Sequence, residues 1–526
     1  MNRDSFASDS SISNYMKRIN SFFSLVAIAG VLFLSACQQP LPDDALANVP
    51  EGVSFVTAIN IPRLMEKAEF EKVRQMGFYQ KITEQAAEKN PAFAEVLKDP
   101  ASAGVDLQKN AYVAMILSAD TVNEGKTVAF LFSIADKAKF EQAVNDIRIK
   151  ALQTGNEPET ALVWNEKTGI FVNGDHAQAT ADAWLNSPPN QTVARNKSLR
   201  KTLAREYDIA NWVTSDALAS IYPNLAEGLK KYTPKDFEGN HIGSYLYFED
   251  DRVRGEAYVD LKKNLANDLN TFFRDRVKTD FTQLMPAEDQ SFLLTAALDL
   301  HGIHQVLLER YIQGAAQQSL KEFGLSTEDI AYAFGGDVAL SLYPGRDTLF
   351  NVPTPLLAGN IKDQARLNKL IDKAVEKGVL EKKSDNRYLW VRPEKKNRED
   401  SVIVTREDRG EILIKDNIVY LAPNGELLDR IAAGGFATQG AVADRIKGLQ
   451  AENILSAYFQ PPLFMNQNRE SIPFEGFQVT ARRNYLEGFA ELPKAPGNSL
   501  FQLFQELEKK YQQDKMNEEA ETAPEM

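Results

Sequence analysis

Cysteine is almost missing from this chain: its 526 residues hold one, Cys37. A single thiol makes no internal disulfide and no cysteine metal cage, so stability must come from burying apolar surface. Histidine is nearly as scarce, and His176, His241, His301 and His304 bound whatever imidazole chemistry exists. Beyond residue 36 no stretch approaches the roughly 18 apolar residues a membrane helix requires, so the body reads as water-soluble. Positive charge is also short. The 73 acidic residues against 60 basic ones give a formal charge of −13, which disfavours nucleic acid or an anionic lipid surface as a nonspecific partner. No run reads as a Walker loop, a dinucleotide glycine fingerprint, a zinc-protease HExxH or a GxSxG nucleophile elbow.

What is present suits packed cores. Hydrophobic residues make up 43% and aromatic residues 10%, a globular composition. Near the N-terminus, Lys17 and Arg18 precede an apolar segment, Ser21 to Leu34, too short for a comfortable membrane span. Leu34-Ser35-Ala36-Cys37 closes that segment and resembles the lipobox of bacterial lipoproteins. The resemblance implies cleavage before Cys37, diacylglycerol on its sulfur and an acyl chain on the new N-terminus. Each buried methylene contributes roughly 0.8 kcal/mol, so two or three chains hold a protein far more firmly than one. The alternative for 22–34 is a signal anchor. Residues 1–15 are polar and serine-rich, an awkward extension of a signal peptide, and Met16-Lys17-Arg18 is the more typical start.

The body shows a tandem pattern. Pro50 and the strand-like Ser54 to Ile59 have a counterpart in Pro286 and Ser291 to Leu298. Strands at Ala111–Ile116 and Val128–Phe132 answer to Gly336–Ser341 and Pro355–Gly359. The amphipathic stretch of Phe140, Ala143, Val144 and Ile147 answers to that of Leu367, Leu370, Ile371 and Ala374. A strand, an Asn-Gly turn and a helix recur at Gly169–Leu185 and Ile418–Ala432. Paired strands at Ser244–Phe248 and Arg254–Val259 answer to Gly476–Thr480 and Leu486–Ala490. Each copy closes on an amphipathic helix, one through Leu261, Leu265, Leu269 and Phe272, the other through Leu500, Phe501, Phe504, Leu507 and Tyr511. The alternative is one large α+β fold with alternating apolar segments. The expected class is α+β, two tandem related domains of mainly antiparallel sheets with helices packed against them. The expected boundaries are 1–36 signal peptide, 37–48 lipidated tether, 49–283 copy one, 284–513 copy two and 514–526 a disordered acidic tail.

Candidate chemistry is sparse. His301 and His304 form an HxxH with Asp299 and Glu309 nearby, yet the pair falls on a strand-to-helix turn and Gly302 weakens a helix there, which favours a structural role. His176 follows Asn173-Gly174-Asp175 in a predicted turn, and His241 has no recognisable companion. Gly335-Gly336 and Gly434-Gly435 read as turns or helix ends. Asp250-Asp251 and Glu518-Glu519 lie in polar stretches and do not signal glycosidase chemistry. Arg387 to Lys396 interleaves basic and aromatic residues, which suits a carbohydrate platform or, more simply, an exposed strand and its loop. Tyr222-Pro223 and Tyr343-Pro344 read as element exits. No catalytic residue, cofactor or metal site is expected.

The lipobox, the short tether, Pro50 with Ser54-Phe55, the helix at Arg63-Leu64-Met65-Glu66-Lys67-Ala68 and the run Gly104-Val105-Asp106-Leu107 together resemble the uncharacterised family labelled domain of unknown function 4836, found in lipoproteins of Bacteroidota. The resemblance implies a diderm envelope and attachment to the outer membrane through lipid on Cys37. It brings no catalytic residues. The expected function is a non-enzymatic module binding an envelope protein or ligand, with no nucleic acid partner. The alternatives are an accessory subunit of an outer-membrane transport or assembly complex and, lower, an envelope hydrolase with an unfamiliar site.

Overall fold

The computed structural model describes residues 43–116, 127–151, 160–174, 176–188, 190–215, 239–285, 292–305, 320–321, 324–343, 353–391, 408–423, 425–436, 441–459 and 474–522. Helices and extensive antiparallel sheet make the chain α+β. It divides into two compact units, one of residues 1–262 and 492–526, the other of residues 263–491.

The first unit opens on a helical turn, α1 (Asp43–Leu46), whose Ala45 and Leu46 sink with Val49 into the core. This part of the expected tether is therefore packed structure, because apolar side chains this close to a sheet bury rather than trail. Its strands are β1 (Phe55–Ile59), β2 (Ala111–Ile116), β3 (Thr127–Ser133), β4 (Thr160–Trp164), β5 (Thr168–Asn173), β6 (Ile209–Thr214), β7 (His241–Phe248) and β8 (Arg252–Asp260). They pair antiparallel in the order β4-β5-β3-β2-β1-β6-β7-β8. Between them run α2 (Ile61–Lys67), α3 (Gly77–Lys89), α4 (Pro91–Lys98), α5 (Lys137–Ala151), α6 (Ala177–Leu185) and α7 (Lys197–Leu203). Asn60 caps α2 by accepting from Arg63 N, with Pro62 in the first turn where no amide partner is needed. The main core lies on one sheet face, where Val56, Ala58, Tyr112, Leu131, Ile170 and Trp212 meet Ala181, Trp184 and Leu199 of α6 and α7.

The second unit carries β9 (Phe292–Ala297), β10 (Phe334–Tyr343), β11 (Thr354–Ile361), β12 (Leu380–Ser384), β13 (Arg387–Val391), β14 (Asp408–Lys415), β15 (Ile418–Ala422), β16 (Leu455–Phe459), β17 (Gly476–Arg482) and β18 (Tyr485–Glu491). Their order is β12-β13-β14-β15-β11-β10-β9-β16-β17-β18, again antiparallel. Its helices include α8 (Lys263–Phe272), α9 (Thr327–Ala333), α10 (Gln364–Glu376), α11 (Gly425–Ala432) and α12 (Ala441–Glu452). Leu428 and Ile431 of α11 and Ile446 of α12 cover Leu293, Leu356, Tyr420 and Leu413. The strand expected around Arg387 is present as β13, and Gly336, with φ 88°, takes a backbone that suits glycine at the head of β10.

The expected boundaries differ from the compact units. The division falls after Lys262, so α8, expected to close copy one, packs with the second unit. The C-terminal helix Ser499–Thr522, expected to close copy two, packs with the first. Each helix finds its apolar seat by tertiary packing, which sequence adjacency does not dictate. That helix also runs through 514–522, where a disordered acidic tail was expected. Helix-forming residues and the pairs Glu506–Lys509 and Glu508–Gln512 support its surface.

Candidate functional site

Side chains alternate across a strand, so the face opposite each main core presents its own set. In the first unit Leu162, Phe171, Phe130 and Val113 are successive register partners on β4, β5, β3 and β2. They form one apolar row spanning about 15 Å at the usual strand spacing. Its outer end is sheltered by Phe140 and Val144 of α5, which pack with Leu162, Phe132 and Trp164. From there the row emerges, leaving Phe171 40% and Phe130 37% exposed. A cross-strand aromatic pair this open is an uncommon use of large apolar side chains. Burial of the remaining surface of each ring is worth roughly 2 kcal/mol.

The second unit has a row of the same construction. Ile412, Leu421, Leu357 and Leu340 are register partners on β14, β15, β11 and β10, and the row continues into Leu294, Ala457 and Val479. Leu367 and Ile371 of α10 belong to the small cluster that shelters Ile412 at its outer end. Leu357 then stands 46% exposed.

One concavity of the first unit, about 560 Å³, is lined by Arg63, Glu66, Lys67, Glu69 and Asn498. Behind it lies the carboxylate of Asp208, fully buried at the entrance to β6. Arg63 and Lys67 stand four residues apart on α2 and therefore reach from one helix face. Lys67 Nζ donates to Asp208 Oδ2 at 2.5 Å and to the Phe248 carbonyl at 2.6 Å, and Phe248 N donates to Oδ2 at 2.8 Å. Arg63 Nε sits 2.7 Å from Oδ1 off the axis of a hydrogen bond, and its Nη1 lies 3.2 Å from Glu206. Asn498 Nδ2 donates to the same Phe248 carbonyl at 2.7 Å. The carboxylate thus ties α2 to the end of β7. Buried behind two cations, it does not itself line the cleft, whose ionisable side chains are Arg63, Glu66, Lys67 and Glu69.

A second cleft in this unit is lined by Glu249, Asp250, Asp251, Lys494, Ala495 and Pro496. Partial burial works to raise Glu249, but hydrogen bonds from Arg254 and Arg252 hold it below the ordinary carboxylate range. In the second unit the buried Asp337 plays a tying role like that of Asp208. It pairs with Arg274 and accepts from Lys278 N at 3.1 Å, Thr279 N at 2.9 Å and Thr279 Oγ1 at 2.7 Å.

Leu34, Ser35, Ala36 and Cys37 lie outside the described residues, as do Tyr222-Pro223 and Glu309. The histidines fall apart as a site. His301 Nδ1 shares a 2.7 Å hydrogen bond with Tyr332 Oη, whereas the buried His304 shares one of 2.8 Å with Thr327 Oγ1. His176 takes φ 55° at the start of α6, and burial lowers the pKa of His241. Among the described residues no three histidine, cysteine, aspartate or glutamate side chains converge as a metal cage. Sequence reading passed over the rows and Asp208. The signals were there: the strand Val128-Ala129-Phe130-Leu131-Phe132 puts two phenylalanines on the face opposite the buried leucine, and an aspartate stands directly before the strand-like run Ile209–Val213.

Residues 47–390 match the model of the family described as Domain of unknown function (DUF4836). No curated protein and no solved structure matches.

Proposed function

We propose, for a chain that belongs to the DUF4836 family, a lipid-anchored and non-enzymatic envelope protein whose two related α+β units bind a partner protein through their sheet faces. The observation that carries the reading is the recurrence of an apolar row on corresponding strands, sheltered at one end and open in the middle. Selection for a lone fold removes large exposed apolar side chains, and the recurrence of an open apolar row in both sheets, with an aromatic pair in the first and leucines in the second, supports a docking use. Relatedness of the units is supported by their common strand order: β4-β5-β3-β2-β1-β6-β7-β8 matches β14-β15-β11-β10-β9-β16-β17-β18 strand for strand. Anchoring rests on Cys37 behind Leu34-Ser35-Ala36, and a diderm outer membrane is the membrane proposed. Carboxylates tied up by cations, as at Asp208 and Asp337, support a binding role over catalysis.

Two measurements test this. Intact mass of the native protein should show a lipidated N-terminus at Cys37 that Cys37→Ala lacks; an unmodified Cys37 sinks the anchor. A photo-crosslinker placed at Phe171 or Leu357 in intact envelopes should trap one stoichiometric protein, and Phe130→Glu should weaken the Phe171 adduct, as Leu421→Glu should weaken the Leu357 adduct, at least tenfold. Equal trapping in the variants would remove the sheet faces as the docking surface.

A further inference from the structure

This acidic chain carries one run of the opposite sign. Between Asp182 and Glu206 no acidic residue occurs, whereas Arg195, Lys197, Arg200, Lys201 and Arg205 all fall there. The fold turns most of that run outward. Leu199, Thr202 and Leu203 are the buried positions of α7, which leaves Lys197, Arg200 and Lys201 exposed on its other side, with Arg195 exposed at the end of the short 3₁₀ turn Val193–Arg195. The helix is firmly held. Asn196 Oδ1 caps it by accepting from Ser198 N at 2.9 Å and Leu199 N at 3.2 Å, and Ser198 Oγ accepts from the Trp212 indole at 2.8 Å. Two of the five cations are engaged, since Lys201 pairs with Asp260 at 3.1 Å and Arg205 lies over the Tyr258 ring at 3.6 Å. Arg195, Lys197 and Arg200 have no ion-pair partner among the described residues.

The patch adjoins the point where the chain enters the first unit. Val193 N donates to the Val49 carbonyl at 2.8 Å, Pro50 and Thr192 form an antiparallel bridge, and Asn48 Nδ2 donates to the Leu185 carbonyl at 3.1 Å. Just upstream, Ala45 and Leu46 of α1 are buried. With α1 packed, residues 38–42 alone separate Cys37 from the folded body, and at full extension that segment reaches at most about 20 Å. Lipid on Cys37 therefore brings this side of the first unit to the bilayer. There, each Lys or Arg beside an anionic surface contributes roughly a fivefold gain in affinity, over a range of about 8–10 Å in physiological salt. An acyl anchor and a cluster of cations are complementary signals, because the first holds the chain at the membrane and the second acts only at short range. The chain as a whole, at −13, is repelled by the same surface, so the patch also decides which side faces the lipid.

We propose that the surface formed by Arg195, Lys197 and Arg200 docks on the anionic headgroups of the membrane that holds Cys37, an inference that rests on the lipid anchor. The test uses the full chain purified from membranes with its lipid and reconstituted into vesicles. With Cys37 acylated, Gln191→Cys supplies the lone free thiol at an exposed neutral position beside the patch, and a fluorophore there is quenched as it approaches nitroxide-labelled headgroups. Quenching in vesicles of mixed phosphatidylglycerol and phosphatidylcholine should exceed that in phosphatidylcholine alone at least threefold. Lys197→Glu with Arg200→Glu should abolish the excess while the protein stays anchored. Equal quenching in the two kinds of vesicle, or an excess that survives the charge reversal, overturns the proposal. Failure to reconstitute in either, with an unmodified Cys37 by intact mass, removes the anchor and the proposal together.

Discussion

The two units lay their strands in the same order and fill them differently. On the core face of the first, Val56, Trp212 and Gly243 are register partners: the indole fills the space while its Nε1 donates to Ser198 Oγ at 2.8 Å. On the core face of the second, Thr295, Ser456 and Thr480 stand in a row, with Thr295 and Ser456 sharing a 2.7 Å hydrogen bond. The opposite faces reverse this polarity. In the first unit the apolar row ends at Val113, because its next partners are Thr57, Asn211 and Ser244, joined by hydrogen bonds of 2.7 and 3.3 Å. In the second it runs on through Leu294, Ala457 and Val479. One topology thus accepts either filling, provided each buried polar group finds a partner and volume is conserved. The length of the open row, rather than the fold, distinguishes the two surfaces.

The comparison breaks most visibly at the buried carboxylates. Asp208→Ala strands Arg63 and Lys67 beside a desolvated gap and should cost the first unit about 3–5 kcal/mol, with Asp337→Ala doing the same to the second through Arg274. Calorimetry resolving two transitions should see each variant lower one of them; a single shared shift would show that the units do not melt separately. Exchanging the core-face fillings comes next. Trp212→Ser should cost about 3–5 kcal/mol by cavity formation, and Ser456→Trp about 1–3 kcal/mol by overpacking. Near-neutral behaviour in urea titrations would mean that these positions relax freely.

Acid should sharpen the contrast more gently. Partial burial of Glu508 works to raise its pKa, but the Phe78 amide and Gln512 hold it below the ordinary value. For Glu411 in the second unit burial acts in the same sense, and Lys383 with Arg387 overrides it. A carboxyl depressed in the folded state contributes stability above its unfolded pKa, about 4.3, and that contribution is lost as pH falls through the folded value. Glu508→Gln should therefore flatten the acid-side decline of the first unit alone, at a neutral-pH cost of about 1 kcal/mol. An unchanged pH profile by circular dichroism would remove the Glu508 contact from the account. The smallest effect on folding belongs to the open rows. Phe171→Ser and Leu357→Ser should each change stability by about 1 kcal/mol or less. If the rows dock a partner, Leu357→Ser, in the longer row, should weaken crosslinking more than Phe171→Ser.

Much of the local structure was legible beforehand because it depends on near neighbours. Val128–Phe132 is a short apolar run and is a strand; Leu367, Leu370 and Ile371 recur at helical spacing and lie on α10. The strands β6 and β16, which pair with β1 and β9 in mid-sheet, were passed over. Ile209–Thr214 and Leu455–Phe459 are short runs, and what makes them central is pairing with segments 150 or more residues away. The partner of Asp208 was illegible for the same reason: Lys67 is 141 residues distant.

By itself the sequence determined the family, the α+β class and most strand and helix positions, since periodicity and turn chemistry act over a few residues. The tertiary structure alone decided that Phe130 and Phe171 stand side by side on an open face. It also decided that Asp208 is held by α2 and that helix 499–522 completes the first unit. Those outcomes depend on which distant surfaces exclude water from one another, a property of the assembled sheets that no local pattern carries.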